Sequence, residues 1–229
     1  MKTTGTNPDL EILYEDNHLL SICKPAGVLS QEDRTGDPDA LTLGKEYLKN
    51  EYNKPGNVFL GLLHRLDKPV SGVMVMAKTS KSAARISEQI RQRTVKKSYL
   101  AVVRGEPEDF NYLTHYLLKD TASNRVAVVE DDQKGAKCAE LMYQTLDRKN
   151  GLALLKIKLI TGRAHQIRVQ LTEVNLPILG DKKYGITAPG HIALHAFEFE
   201  FTHPTLKKPI SIQCYPPPKE PWAFFKIES

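Results

Sequence analysis

Four consecutive strand-like segments joined by short turns constrain the fold of this chain more than any other feature. They cover 113–118, 124–130, 138–147 and 152–160, with turn residues at 120–123, 131–136 and 149–151. Strands joined by such short turns pair antiparallel. Helical patterns cover 40–50, 79–92 and 164–175, and further strand patterns cover 10–25, 94–104, 192–202 and 209–214. This mixed order predicts an α+β fold with a largely antiparallel sheet.

Composition sets wide limits. The 229 residues, of which 41% are hydrophobic, suffice for a substantial core. We expect a loose tail at residues 1–9 and one domain over 10–229. No apolar run approaches the roughly 18 residues of a membrane span, and the N-terminus lacks an apolar signal core. Cys23, Cys138 and Cys214 are odd in number and lack metal-ligand spacing, which is typical of a reducing compartment. We therefore expect a cytoplasmic protein.

The segment from His64 to Gly72 places charged residues between two apolar runs, 58–63 and 73–77, that are typical of buried strands. An acid at the end of a rigid sheet element is well placed for chemistry, and Asp67 is the candidate here. The alternative is a surface ion pair of Arg65 and Asp67 beside a turn closed by Pro69 and Gly72.

A second motif covers residues 161–171, where a strand-like segment ends at Thr161-Gly162 and a helix is predicted to begin. Ile167, Leu171 and Val174 would form one apolar stripe. His165, Arg168 and Thr172 would share a neighbouring polar face. The alternative is a solvated amphipathic helix with a cationic face.

Together with three further segments, these motifs resemble those of the RluA-type pseudouridine synthases. Residues 64–72 match HRLD-x-x-T/S-S-G except at Val70, which puts one local hydroxyl hydrogen bond in doubt, and 161–171 match TGR-x-HQIR-x-x-L. The other segments are 97–105 (K-x-Y-x-A-x-V-x-G), 177–185 (P-I-x-GD-x-x-YG) and 192–204 (LHA…F-x-HP). The resemblance runs from about residue 10 to residue 218, and the motifs occur in the family's order.

The resemblance implies the pseudouridine synthase fold, a long bent sheet with flanking helices and a central cleft, and isomerisation of uridine in RNA without cofactor or metal. It also leaves no room for the small RNA-binding module that many relatives carry before the catalytic part. Asp67 would be the nucleophile or the base that deprotonates the sugar, and Arg168 its partner cation. Tyr99 would stack on the base and assist proton removal, although a tyrosine among apolar residues is more often part of a core. The substrate-binding residues would be Arg65, which fills the gap left by the flipped base, Leu194, which packs against the nucleotide, and His64, Lys97, Arg163, His165 and Gln166.

The charge of +5 and a pI near 9.0 favour an anionic partner. Cations cluster at Lys78, Lys81, Arg85, Arg91, Arg93, Lys96 and Lys97, with later pairs at Lys182-Lys183 and Lys207-Lys208. Such spacing suits phosphate contacts, although a solvated face is the alternative for any single lysine. We expect a monomer that binds ribosomal or transfer RNA and no membrane. A catalytically idle RNA-binding relative and an aspartate-dependent hydrolase of a small anion remain open.

Overall fold

One sheet forms the framework of the computed structural model, which describes residues 10–227; the predicted tail at 1–9 lies outside them. The strands are β1 (Glu11–Glu15), β2 (Leu19–Lys24), β3 (Gly61–Leu62), β4 (Ser71–Ala77), β5 (Lys96–Arg104), β6 (Phe110–Asp120), β7 (Arg125–Val129), β8 (Lys137–Lys149), β9 (Leu152–Leu159), β10 (Leu194–Thr202) and β11 (Pro209–Gln213). The helices are α1 (Ala40–Glu51), α2 (Ser80–Arg91) and α3 (Gln166–Glu173), followed by a 3-10 turn at Trp222–Phe224. The predicted α+β class is confirmed.

The sheet joins distant parts of the chain. Its order is β1-β2-β4-β10-β5-β9-β8-β6-β7, with β3 paired to β4 and β11 paired to β10. Neighbours are antiparallel except β4 and β10, which run parallel and align Ser71 with His195. The loop before β4 therefore lies near the middle of the sheet, beside elements from the second half of the chain.

The continuous apolar run of β4 is explained by burial of both of its faces. Met74 and Met76 pack in a cluster with residues of α1, whereas Val73 and Val75 pack in another with Ile86 of α2. The helices thus cover opposite sides of this part of the sheet. Side-chain caps begin both helices, at Asp39 for α1 and at Thr79 for α2.

The predicted strand at 58–63 is wrong for most of its length. Only Gly61 and Leu62 pair with β4. Leu60 is instead buried in the cluster that contains Leu43 and Leu48 of α1. An apolar run specifies burial but does not distinguish packing against a helix from pairing in a sheet.

Helix α3 is shorter than the predicted 164–175, and its polar side is not solvated. Ile167 and Leu171 lie in the core and Val174, the residue at the C-cap, packs against it, so the predicted apolar stripe is confirmed. Arg168 and Gln170 are also buried. The interpretation of a solvated cationic face is therefore wrong.

Among residues 10–227, no helix is long and apolar enough to cross a membrane.

Candidate active site

A cleft of about 1030 Å³ brings together the two motifs that the sequence separates. Asp67 enters from the loop between β3 and β4, Tyr99 from β5, and His165 and Arg168 from the start of α3. A smaller pocket of about 70 Å³, lined by several of the same residues, also contains Asp67.

The loop that carries Asp67 is fixed by buried neighbours on both sides. Leu66 and Val70 belong to the main core cluster. Ser30 Oγ donates to Leu66 O at 2.7 Å and accepts from Leu66 N at 2.9 Å. Val70 N donates to Asp67 O at 2.9 Å, which closes the turn. These contacts leave the Asp67 side chain 29% exposed to the cleft.

The buried side chain of Lys24 also supports the loop that carries Asp67. Lys24 Nζ donates to Val28 O at 2.7 Å, Pro25 O at 2.9 Å and Lys68 O at 3.3 Å. Three carbonyl acceptors match the three donors of an ammonium group. Burial lowers the pKa of Lys24 to about 7, and the negative charge of Asp67 acts in the opposite direction. Lys24 thus ties the end of β2 to the residue after Asp67.

Arg168 lies between two carboxylates. Its Nη1 donates to Asp67 Oδ2 at 2.8 Å, while Nε and Nη2 donate to the two oxygens of Asp181 at 2.8 and 2.7 Å. The main-chain N–H groups of Lys183 and Tyr184 also donate to Asp181 Oδ1, at 2.9 and 3.2 Å. The Asp181 side chain is 1% exposed. A bidentate pair of this kind fixes the plane of the guanidinium, and therefore the atom that faces Asp67.

Arg168, Asp67 and Asp181 form a triad, and the electrostatics keep its buried Arg168–Asp181 pair charged. Burial opposes ionisation of Arg168, but hydrogen bonds to Asp181 and Asp67 raise its pKa above the ordinary value. Burial likewise opposes ionisation of Asp181, yet its hydrogen bonds with Arg168 and that residue's charge hold the pKa of Asp181 below its usual range. Arg168 and Asp181 therefore form a buried ion pair, and Arg168 faces Asp67 with a donor.

His165 borders the triad. It adopts a left-handed backbone conformation (φ 52°) immediately before α3. Its Nδ1 is hydrogen-bonded to Tyr184 Oη at 2.6 Å, and its Nε2 lies 3.9 Å from Asp67 Oδ2. Tyr184 Oη accepts from Val126 N at 2.8 Å. Burial lowers the pKa of His165, and Asp67 partly offsets this effect. The imidazole is therefore neutral at pH 7.

Tyr99, Leu194 and Arg65 surround Asp67 in the smaller pocket. Tyr99 and Leu194 are buried, and Arg65 is exposed. Burial, reinforced by the charge of Asp67, raises the pKa of Tyr99. The tyrosine is thus a neutral phenol beside Asp67, and the apolar Leu194 and the exposed cation Arg65 line the same pocket.

Two of the predicted substrate-binding residues are held by protein partners. His64 Nε2 accepts from Val75 N at 3.0 Å, and its ring stacks on Phe199 with centroids 4.6 Å apart. Gln166 Oε1 accepts from Thr161 Oγ1 at 2.8 Å and from Arg163 N at 2.9 Å, so it closes the turn before α3. These contacts assign both side chains to the support of the cleft wall.

Lys97 and Arg163 also line the cleft. Lys97 Nζ lies 5.6 Å from the centroid of the Phe199 ring, and burial lowers its pKa. Arg163 is exposed, and its Nε donates to a main-chain carbonyl of β8 at 3.0 Å. Both side chains therefore place a cation at the wall of the cleft.

Most of the predicted basic cluster lies elsewhere. Lys78 pairs with Glu15, Arg91 with Glu88 and Lys96 with Glu200, so these cations are neutralised by protein carboxylates. Of that cluster, only Lys97 lines the cleft. The cations that line it besides Arg168 are Arg65, Lys68, Lys97, Lys119, Arg125, Arg163, Lys182 and Lys183.

Sequence reasoning assigned no role to Asp181, Lys24, Ser30 or Tyr184. Asp181 and Tyr184 stand inside a motif that had been recognised without a function. Lys24 follows an apolar strand and precedes Pro25, so a buried position could have been suspected. Ser30 carries no sequence signal that distinguishes it from a loop serine.

Cys23 and Cys214 form a disulfide although 191 residues separate them. The spacing of the cysteines therefore no longer supports the prediction of a reducing compartment. A ring nitrogen of His195 and the two sulfur atoms lie within 4.8 Å of one another, a grouping that sequence spacing could not reveal. The sulfurs are bonded to each other here, so they are not available as thiolate ligands.

A sequence profile described as RNA pseudouridylate synthase matches residues 18–173. The chain belongs to the RNA pseudouridylate synthase family. This confirms the family that the motifs predicted.

Similar proteins agree with this assignment. The chain is 35% identical to the ribosomal large subunit pseudouridine synthase C of Buchnera aphidicola subsp. Baizongia pistaciae, over 88% of this chain and 65% of that protein. It is 36% identical to the ribosomal large subunit pseudouridine synthase D of Nitrosomonas europaea, over 85% of this chain and 58% of that protein. The solved structure of human RNA pseudouridylate synthase domain containing 4 has a TM-score of 0.76 at 25% identity, covering 90% of this chain and 88% of that one. The predicted pseudouridine synthase fold is confirmed, while the chain spans only 58% and 65% of the two relatives' lengths.

The two carboxylates of the triad should contribute unequally to the stability of this family member. Asp181→Asn removes half of a buried ion pair and should lower the free energy of unfolding by about 3 kcal/mol. Asp67→Asn leaves Arg168 paired with Asp181 and should cost less than about 1 kcal/mol. Urea denaturation of both variants measures this difference, and equal losses would contradict the buried pairing.

Stability should also decline with acid through His195. Burial lowers the pKa of His195 to about 4 from 6.5, so the unfolded chain takes up the proton first as the pH falls. This stabilisation is complete above pH 6.5 and is lost toward pH 4, by up to about 1 kcal/mol per pH unit. His195→Gln should show a smaller loss between pH 7 and pH 5 in urea denaturation. An identical loss in the variant would exclude His195 as the titrating group.

Proposed function

We propose that this chain is an RNA pseudouridine synthase that converts uridine in RNA to pseudouridine. The bond between the ribose and the base nitrogen breaks, the base rotates, and a bond to carbon 5 replaces it. The observation that supports this most directly is the Asp67 carboxylate, held by Arg168 in a cleft lined with cations. The two relatives described above are named as ribosomal large subunit enzymes. We therefore propose ribosomal RNA as the first substrate to test, ahead of transfer RNA.

The geometry supports a role for Asp67 that requires an ionised carboxylate. Arg168 donates to Oδ2 alone, so the other oxygen can act as nucleophile on the sugar carbon or as base on a sugar proton. Because Asp67 lies inside the cleft, we propose that the target uridine leaves its stack to reach it, either flipped out of a helix or taken from a loop.

We assign Tyr99 to stacking on the uracil rather than to proton removal. Burial keeps its hydroxyl protonated, and a phenol is a poor base in that state. Its aromatic ring, next to Leu194 in the smaller pocket, offers a flat apolar surface of the kind on which bases stack. We propose that Arg65, which is exposed at the same pocket, fills the gap left in the RNA.

The rim of the cleft supports contact with an RNA backbone. Arg125 Nη2 donates to Lys183 O at 2.6 Å, which ties the β6–β7 hairpin to the loop after Asp181. Burial and then the charges of Arg168 and Arg125 lower the pKa of Lys183. Such crowding of positive charge is relieved when a phosphate binds.

A catalytically idle RNA-binding relative is the second candidate function. It would need the same cationic rim but no ordered acid. The bidentate anchoring of Arg168 by Asp181 favours the enzyme, because binding alone does not require an oriented carboxylate. Hydrolysis of a small anion is disfavoured because Asp181, the nearby second carboxylate, is buried and bound to Arg168.

Asp67→Asn should abolish isomerisation while leaving folding and RNA binding intact, because it removes the charge but keeps the size of the side chain. The substrate is RNA from cells that lack the gene, and pseudouridine is mapped after incubation with each protein. The matched control is Asp132→Asn, an exposed aspartate in the turn after β7, which should act like the wild type. Turnover by the Asp67→Asn variant would contradict the assignment of Asp67 to the reaction. Binding without turnover by the wild type on total RNA would favour the idle relative.

The salt dependence of RNA binding should depend on which lysine pair is removed. Replacing Lys182 and Lys183 by glutamine should flatten the slope of log affinity against log salt by about 1.4, or about 0.7 for each lysine. The control is the Lys207-Lys208 pair, which is exposed and does not line the cleft. Its replacement should leave the slope unchanged. Equal effects of the two pairs would remove the cleft rim from the proposed RNA footprint.

A further inference from the structure

The disulfide between Cys23 and Cys214 joins two segments whose neighbouring residues support the loop that carries Asp67. Cys23 is near the end of β2, and Cys214 follows β11 directly. Cys23 is half-buried and Cys214 is buried, so we take Cys23 as the half-cystine that a small thiol reagent attacks. Among residues 10–227, the remaining cysteine is Cys138 on β8, and it is free.

The first half-cystine is connected to the loop through Lys24, the next residue in the chain. The Lys24 ammonium is wholly buried and donates to Lys68 O. Gly27 N also donates to Lys68 O, at 2.8 Å. A shift of Cys23 therefore moves the main-chain support of the residue that follows Asp67.

The second half-cystine is connected to the other end of the loop through His195. His195 Nε2 lies 2.9 Å from Cys214 O, and its Nδ1 lies 2.8 Å from Ser71 Oγ. A carbonyl oxygen only accepts, so Nε2 carries the proton and Nδ1 accepts from the Ser71 hydroxyl. His195 thus links the main chain of Cys214 to the first residue of β4.

We propose that Cys23 and Cys214 form a reversible redox-modification site for low-molecular-weight thiols and disulfides, whose state sets the positioning of Asp67. The disulfide joins the two supports that hold the Asp67 loop, one at Lys68 and one at Ser71. Reduction removes this covalent link and leaves the two supports joined through their backbone pairing with β4, which loosens the loop. This inference rests on the proposed function only for its activity measurement.

A small-molecule dithiol supplies the electrons that reduce the Cys23–Cys214 disulfide. A thiolate of a dithiol attacks the Cys23 sulfur, the bond to Cys214 breaks, and Cys214 leaves as a thiolate that takes up a proton. The second thiol of the reagent then releases Cys23 and closes the reagent's own disulfide. Two electrons and two protons pass to the protein, and glutathione disulfide reverses the reaction.

Single-turnover isomerisation by the full chain, measured after treatment with dithiothreitol or with glutathione disulfide, tests the inference. We expect the rate to be about 3- to 10-fold lower in the reduced protein, with RNA affinity unchanged, because small displacements of a catalytic group slow the chemical step. A chelator is present throughout, since the reduced cysteines with His195 could take up a thiophilic ion. The temperature is one at which near-ultraviolet circular dichroism shows both forms folded.

Variants separate the disulfide from other redox effects. The double variant Cys23→Ser, Cys214→Ser should have the rate of the reduced protein under both treatments. The matched control Cys138→Ser should respond to redox state as the wild type does. Equal rates of oxidised and reduced wild type would overturn the inference, and so would a redox response that persists in the double variant.

A measurement without RNA keeps the inference distinguishable from the proposed function. Thiol titration of the denatured protein should find one thiol after oxidation and three after reduction, as the three cysteines require. Hydrogen exchange of the 64–71 segment should be faster in the reduced form. If these changes occur but neither form isomerises RNA, the proposed function fails while the redox link remains. Unchanged exchange in this segment would overturn the link itself.

Discussion

The contact between the Arg168 guanidinium and two carboxylates is the interaction on which the rest of the site depends. Asp181 takes two donors of the guanidinium and is itself fixed by main-chain N–H groups, so the third donor points toward Asp67. A flexible point charge in the same place would attract Asp67 without fixing its direction. The Arg168 guanidinium therefore supplies the positive charge beside Asp67 and also fixes the direction of the Asp67 carboxylate.

The sheet brings together the segments that carry Asp67, Arg168 and Asp181. Asp67 lies 101 residues before Arg168, and Asp181 lies 13 residues after it. The parallel pairing of β4 with β10 places the Asp67 loop beside the second half of the chain. Local supports then complete the positioning: Lys24 and Ser30 hold the loop, and Gln166 closes the turn before α3.

Much of this arrangement could be predicted from the sequence, because the candidate site residues and the turns occur in fixed local patterns. Asp67 and Arg168 were identified by motif, and most strands by their turn spacing. The buried roles of Asp181 and Lys24 could not be predicted, since their partners are chosen by tertiary contacts. The same holds for the disulfide between Cys23 and Cys214, where no local signal marks residues 191 positions apart as neighbours. The strand expected at 58–63 failed because apolar patterning does not reveal the packing partner.

The most direct test of the central claim is the single-turnover rate of Arg168→Lys, measured beside its RNA affinity. Lysine keeps the positive charge, but its three donors diverge from a single nitrogen atom, so it lacks the planar fork that fixes the guanidinium on Asp181. If the oriented fork positions Asp67, the rate should fall about 100-fold or more, with RNA affinity within twofold of the wild type. A variant that isomerises RNA at close to the wild-type rate would show that charge alone suffices, and would contradict the account.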